Sequence, residues 1–352
     1  MEERTKVIGF NELKVGMIIS KNLEHNGKIL LKKDFAITEE MIKKLQESYF
    51  IESVEVYDRN IEKKQSNKEE QYNKVEEEFT ELASKMQSVF IQLTNKNGIV
   101  MNEIREFAQK IQDELSLKHI VIKNIVLHGS GSDVIYRHGV NVAALSSLLG
   151  SWIGLEKVQL NLLVYSAILH DFGKTKIDSI ELLNKETFLT ENEFNVVKTH
   201  TTLGYKIINE IPFLDKTVSY GALMHHERLD GSGYPLGLKG DSIHLFAKII
   251  AIADVFDAIN SNRVYRKKKL PFEALQIVKD ESLGKLDYEY ANIFLEHIIT
   301  YYTGEEVLLN TNEKCKIIQM NINNLEKPLI LKDGQFIDLE KENKLYIKEI
   351  IK

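Results

Sequence analysis

The chain of 352 residues is long enough for about two domains at ~150 residues each. Its 43% hydrophobic and 28% charged residues are ordinary globular usage, which excludes a disordered chain, a collagen-like fibre and a disulfide-stapled mini-protein. With 46 Lys and Arg against 52 Asp and Glu the net charge is −6, so double-stranded nucleic acid is not an expected partner, although a local cluster of cations could hold a small anion.

A single cysteine, Cys315, excludes an intramolecular disulfide and a cysteine-based zinc site and fits a reducing compartment. The N-terminus lacks an apolar signal region, and no run reaches the ~18 apolar residues of a membrane span. A cytoplasmic location without membrane insertion is therefore expected.

Residues 1–58 read as a small α/β unit. Asn26-Gly27 between the β-prone runs Met17–Leu23 and Lys28–Leu31 is a hairpin signal. Thr38 offers a helix N-cap, with Glu39 and Glu40 in the first turn. Glu52–Tyr57 reads as a closing strand. Residues 59–120 form a charged linker and a helical segment. In it Val75, Phe79, Leu82, Met86, Val89 and Leu93 recur at spacings of 4, 3, 4, 3 and 4, a heptad-like seam. Two readings stay open for residues 75–93: packing on the chain's own core, or a parallel homodimer.

Residues 121–302 are helical by pattern. Met101–Leu115 just before them, then Gly139–Leu149, Val158–Leu169, Glu191–Ile208 and Leu245–Ile259, show helical periodicity or buried-helix composition. Residues 303–352 change to short β-prone runs (Val307–Leu309, Lys316–Gln319, Leu329–Leu331, Gln335–Leu339 and Leu345–Ile350), which predict a small β appendage. The expected fold class is mainly α, with small α/β and β pieces at the two ends.

Five of the ten histidines, His138, His170, His200, His225 and His226, lie within 89 residues of one another. Asp171 adjoins His170, and Asp254 follows in an apolar run. The pairs His170-Asp171 and His225-His226 each end an apolar stretch, where a cation can be held with little competition from water. Imidazole plus carboxylate without thiolate suits Mn, Fe or Zn. The ligands are not spaced for one helix face, so they would have to converge from about five helices. From His225 to Gly240 the chain is dense in glycine around Tyr234-Pro235. Glycines allow close backbone approach to a ligand, and Tyr234 could stack on a base or bond a phosphate.

These residues resemble the HD-GYP family, a branch of the HD-domain metal-dependent phosphohydrolases. The resemblance rests on His170-Asp171 followed by Gly173-Lys174, and on the His225–Gly240 segment with Gly233-Tyr234-Pro235. It extends to Tyr136-Arg137-His138, Lys198-Thr199-His200 and Ala253-Asp254-Val255-Phe256-Asp257-Ala258 with Arg263 and Tyr265. It implies an HD helical bundle that hydrolyses cyclic di-GMP to the linear dinucleotide and on to GMP. It also implies a site for two or three divalent cations, Fe or Mn. His138, His170, Asp171 and Asp254 would hold one, and Asp171 would bridge to a second held by His200, His225 and His226. Lys174, Arg263 and Arg266 would contact phosphate, with Asp230, Gly233, Tyr234 and Pro235 forming the substrate loop. In this scheme a hydroxide shared by the two cations attacks phosphorus, and Asp171 and Lys174 carry the catalysis.

Three-metal members carry a glutamate where this chain has Val134, which favours two cations. Lys248 and Thr175 also depart from the family, away from the ligand set. Two other functions stay in play: a receptor that binds a cyclic dinucleotide or a protein without turnover, and a hydrolase of another cyclic dinucleotide.

Overall fold

A computed structural model describes residues 5–25, 28–38, 41–43, 45, 53–57, 63–94, 100–112, 119–131, 133, 135–177, 182, 185, 187–261, 271–342 and 344–351. The chain divides into two compact units, residues 1–74 with 331–336, and residues 75–330 with 337–352.

In the first unit β1 (Thr5–Gly9) pairs antiparallel with β4 (Ser53–Tyr57), and β2 (Leu23–His25) with β3 (Lys28–Leu31). His25 lies opposite Lys28, the register a two-residue turn demands. The Asn26-Gly27 turn itself lies outside the described residues, as do Glu39 and Glu40. Thr38 acts as the expected cap, its hydroxyl accepting from Met41 N–H at 3.3 Å. Strand β1 carries no apolar alternation, since only one of its five residues is buried. Its pairing with β4 recruits it. Ile19, Ile37, Val54 and Val56 are buried in this unit's core.

The second unit is mainly helical. Its elements are α1 (Lys63–Thr94, counted here from Val75), α2 (Val100–Lys110), α3 (His119–His128), α4 (Tyr136–Trp152), α5 (Lys157–Leu169), α6 (Glu191–Lys198), α7 (His200–Asn209), α8 (Thr217–Met224), α9 (Leu245–Asn260), α10 (Pro271–Glu281) and α11 (Tyr288–Ile298). Helix α4 packs against α5 and α9, and α5 against α8. Among the described residues no helix is long and apolar enough to cross a membrane.

The seam on α1 is used up within the chain. Phe79, Leu82, Met86, Val89 and Leu93 are all buried in the same apolar cluster as α4, α5 and α9. Met86 lies against Gly139 of α4, where an added Cβ would stand 2.4 Å from the Met86 terminal methyl. Of the two readings of residues 75–93, packing on the chain's own core accounts for this stripe: a heptad spacing marks a buried stripe, and here other helices of the chain cover it.

The predicted helix over Glu191–Ile208 is two helices, broken at Thr199. The hydroxyls of Thr199, Thr201 and Thr202 donate to the carbonyls of Val196, Lys198 and Thr199, and His200 Nδ1 to that of Val197. These side chains share carbonyls with the backbone at the junction of the two helices. At the C-terminus the five-stranded sheet has the order β8-β7-β6-β5-β9, with β5 (Glu306–Leu309), β6 (Lys314–Asn321), β7 (Asn324–Lys332), β8 (Gln335–Asp338) and β9 (Ile347–Ile350). Val307, Ile317 and Leu339 of this region join the helical core, so the sheet closes the bundle's hydrophobic cluster.

Candidate metal centre

Five segments of the second unit bring the predicted ligands together. His138 lies in α4, His170 and Asp171 directly follow α5, and His200 opens α7. His225 and His226 follow α8, and Asp254 lies in α9. The 3₁₀ turn Phe172–Lys176 directly follows Asp171. Gly173 allows this turn to press on α7, because a Cβ there would lie 1.8 Å from the His200 carbonyl oxygen. That approach sets Asp171 beside His200.

Asp171 sits at the middle of the cluster, and its two oxygens face different histidines. Oδ2 lies 3.4 Å from His170 Nε2 and 3.8 Å from His138 Nε2. Oδ1 lies 3.4 Å from His200 Nε2 and 3.7 Å from His225 Nε2. Two groups of convergent donor atoms follow, Asp171-His200-His225-His226 and His138-His170-Asp171, and they share only Asp171. Asp254 flanks them, its oxygens 3.0 Å from His138 Nε2 and 3.8 Å from His226 Nδ1.

The hydrogen bonds of the imidazoles settle their tautomers. Nδ1 of His170 meets the Ala167 carbonyl at 2.7 Å, and Nδ1 of His200 meets that of Val197 at 2.7 Å. Nδ1 of His225 meets the carbonyls of Gly221 at 2.9 Å and Ala222 at 3.1 Å. A carbonyl only accepts, so each Nδ1 carries a proton, and a ring holding that one proton turns a bare Nε2 lone pair into the centre. Two of those lone pairs, on His200 and His225, face each other at 3.3 Å. His170 Nε2 and Asp171 Oδ1 are buried without a hydrogen-bond partner. Each such orphan costs roughly 1–3 kcal/mol. Repelling lone pairs and a partnerless carboxylate oxygen fit bound cations, so this donor set suits divalent metal.

The electrostatics agree. Burial lowers His200 to about 4, helped by the nearby Lys174 ammonium. Burial lowers His225 to about 3, helped by the neighbouring imidazoles of His170 and His200. Desolvation, with His225 alongside, holds His226 well below its ordinary value. These three are neutral and ready to donate lone pairs. His138 differs. Burial opposes its charge, but the carboxylates of Asp254 and Asp257 outweigh burial and raise it to about 9. Burial alone would raise Asp171, yet the Lys174 ammonium beside it keeps it well below the usual carboxylate range.

Lys174 donates to Asp171 Oδ2. Tyr234 stacks on His226, ring centroids 4.7 Å apart. Burial and the Asp254 and Asp171 carboxylates raise its phenol, so it keeps its proton. Gly233 has no room for a side chain, as a Cβ would lie 2.4 Å from both Arg228 N and Glu227 Cα. Pro235 follows a cis peptide bond. Asp230 is exposed and accepts from Ser232 N–H at 2.8 Å and Ser232 hydroxyl at 2.6 Å. It shapes the turn, and among the described residues no hydrogen bond or ion pair joins it to the centre. Arg263 and Arg266 lie outside the described residues, and so does Val134.

Two functional residues escape the sequence reading. Asp257 accepts from His138 Nδ1 at 2.7 Å and from Asn141 Nδ2 at 2.8 Å, holding the first histidine's ring in place. Its signal was its position three residues after Asp254 on one helix, which puts both carboxylates on a shared face. Glu227 is 2% exposed and accepts from the backbone N–H groups of Leu236 at 2.7 Å and Leu238 at 2.9 Å. It pins the glycine-rich loop from inside. An acid directly after paired histidines was its only mark in the sequence.

Residues 81–289 match the model of a protein family described as HD domain. A cyclic di-GMP phosphodiesterase of Thermotoga maritima is 40% identical over 153 residues, 43% of this chain and 41% of that protein. A 3'3'-cGAMP-specific phosphodiesterase 1 of Vibrio cholerae is 34% identical over 198 residues, 56% of this chain and 45% of that protein. The chain thus spans less than half the length of these curated relatives. Among solved structures, Bd1817, a HDG"Y"P protein from Bdellovibrio bacteriovorus, has a TM-score of 0.53 and 17% identity over 84% of this chain and 99% of that one. This is a likeness of fold.

Proposed function

The chain belongs to the HD-domain family, and from that premise we propose that it is a metal-dependent cyclic dinucleotide phosphodiesterase whose substrate is cyclic di-GMP, hydrolysed to the linear dinucleotide and on to GMP. The observation that carries the proposal is the Asp171 carboxylate, one oxygen turned to His138 and His170 and the other to His200 and His225. This arrangement supports two cations per chain sharing Asp171, with Asp254 and His226 completing the shell. Histidine and carboxylate donors suit Fe or Mn. Cations bound there would acidify water and neutralise charge on phosphoryl oxygens.

The chain's own residues do the rest. Nδ1 bonds to backbone carbonyls hold three imidazoles in the ligating tautomer, so no proton must move when a cation enters beside them. Lys174, part-buried beside Asp171, adds a positive charge where negative charge grows in the transition state. The protonated Tyr234 phenol offers a donor to the substrate beside His226. The single buried thiol, Cys315, suits a reducing compartment, so we place the reaction in the cytoplasm.

The names of relatives favour a second reading, because some are cyclic di-GMP phosphodiesterases and others act on 3'3'-cGAMP. One experiment separates the readings. Protein purified anaerobically is assayed for metal by elemental analysis, then incubated with a panel of cyclic dinucleotides and the products separated. Cyclic di-GMP turned over fastest, with about two metals per chain, is the expected result. Faster turnover of 3'3'-cGAMP moves the substrate, and tight binding without product makes the chain a receptor.

A further inference from the structure

Helix α6 ends at the rim of the centre with a cation that no acid among the described residues neutralises. Lys198 Nζ lies 4.6 Å from the Phe194 ring centroid and 5.5 Å from that of Tyr234. The two rings meet edge to face, with centroids 6.2 Å apart. The only hydrogen bond described for the ammonium is to the Asn195 amide oxygen at 3.3 Å. Among the described residues Lys198 has no carboxylate within ion-pair distance. Its neighbours differ: Lys174 is bonded to Asp171, and Arg228 faces Glu281. A lysine in the last helical turn is favoured by the helix dipole, but the dipole does not call for two aromatic faces around it. Phe194 remains 43% exposed, a large apolar ring beside a polar centre. Tyr234 connects this group to the ligands, since its other contact is the stack on His226.

A cyclic dinucleotide poses a problem that one catalytic centre does not solve. It carries two phosphodiesters in one ring and two purine bases. While one phosphate is cleaved, the other stays charged and needs a counter-charge outside the centre. Its base needs a flat apolar surface. Lys198 and Phe194 supply that pair of features one ring away from His226.

We infer that Phe194 and Lys198, with Tyr234 between them and the centre, form the subsite for the uncleaved half of the substrate: Lys198 pairs with the second phosphate and Phe194 stacks on the base. The inference rests on the cyclic dinucleotide reading above. It makes Lys198 and Phe194 determinants of specificity for a two-phosphate ring over a simple diester.

The test compares two substrates, cyclic di-GMP and bis(p-nitrophenyl) phosphate, a diester with one phosphate and no purine. The variants are Lys198→Met, which keeps the aliphatic stem, and Phe194→Leu, with Lys198→Arg as the conservative control. Losing one charge-assisted contact should raise KM for cyclic di-GMP about tenfold to a hundredfold in Lys198→Met, with kcat changed much less. Losing a base stack should raise it about tenfold or more in Phe194→Leu. In both, the ratio of kcat/KM for cyclic di-GMP to that for the simple diester should fall by the same factor, and metal content should match wild type. Lys198→Arg should restore most of the ratio, since a guanidinium also pairs with phosphate and stacks on rings. If wild type cleaves cyclic di-GMP and the ratio is unmoved in both variants, the subsite is overturned and the proposed function stands. If wild type cleaves the simple diester but neither binds nor cleaves any cyclic dinucleotide, the proposed function fails and takes the subsite with it.

Discussion

Replacing Asp257 by Asn probes how far the centre depends on a residue outside the seven candidate ligands. Asp257 is fully buried, and each of its oxygens serves a donor: Oδ2 takes His138 Nδ1–H at 2.7 Å, and Oδ1 takes Asn141 Nδ2–H at 2.8 Å. Asparagine has the same shape but one oxygen. Whichever way the new amide turns, one donor loses its acceptor. If the oxygen faces His138, Asn141 is orphaned at a cost of about 1–3 kcal/mol of stability. If the amino group faces His138, Nδ1 must accept. The imidazole proton then moves to Nε2, where it blocks the lone pair needed by a cation. Losing such an orienting partner typically weakens metal binding about tenfold to a hundredfold. Calorimetric titration with Mn²⁺, paired with thermal melting of the cation-free variant, reads both branches. A variant that binds Mn²⁺ like wild type and also melts at the wild-type temperature would refute the reasoning.

The raised His138 makes cation-free stability depend on pH. A free histidine titrates near 6.5 and His138 near about 9, so the stabilisation is complete below about pH 6.5 and is lost as pH rises through about 9. Melting temperatures of cation-free protein should fall over that window, and His138→Asn should flatten the profile; a parallel decline in both would reject the assignment. Leu82→Ala should cost about 2–5 kcal/mol in urea denaturation, because the side chain is fully buried in the chain's own core. A negligible loss accompanied by a halved mass in light scattering would bring back the dimer seam. Glu227→Gln removes one of two acceptors for the backbone at Leu236 and Leu238. Proteolysis within residues 228–240 should quicken while metal content holds, and unchanged cleavage would show that the loop does not need the carboxylate.

Much of this protein could be read from its sequence because the relevant signals are local or periodic. The apolar runs of α4, of α5 from Leu163 onward and of α9 state that these stretches are buried, since a helical stretch apolar on most sides has little face for water. His170-Asp171, His200 and His225-His226 were recognisable as ligand types because cation chemistry accepts few side chains. Asn26-Gly27 marked a hairpin whose strands pair with His25 opposite Lys28, although the first strand is Leu23–His25 and not the predicted Met17–Leu23. Other features depend on what each segment meets in space. The stripe on α1 is the same whether its cover is a second copy or α4, and only packing against Gly139 and the shared core decides between them. The break at Thr199 is cooperative among several hydroxyls, each of which is tolerated alone within a helix. Asp257 and Lys198 look like ordinary charges in a helix until folding sets one on His138 and the other over two rings. The division of labour at Asp171 is also tertiary. A carboxylate next to a histidine is two letters in the sequence, and it joins two sets of candidate ligands only because Gly173 lets the turn after it press on α7, which carries His200 to its second oxygen.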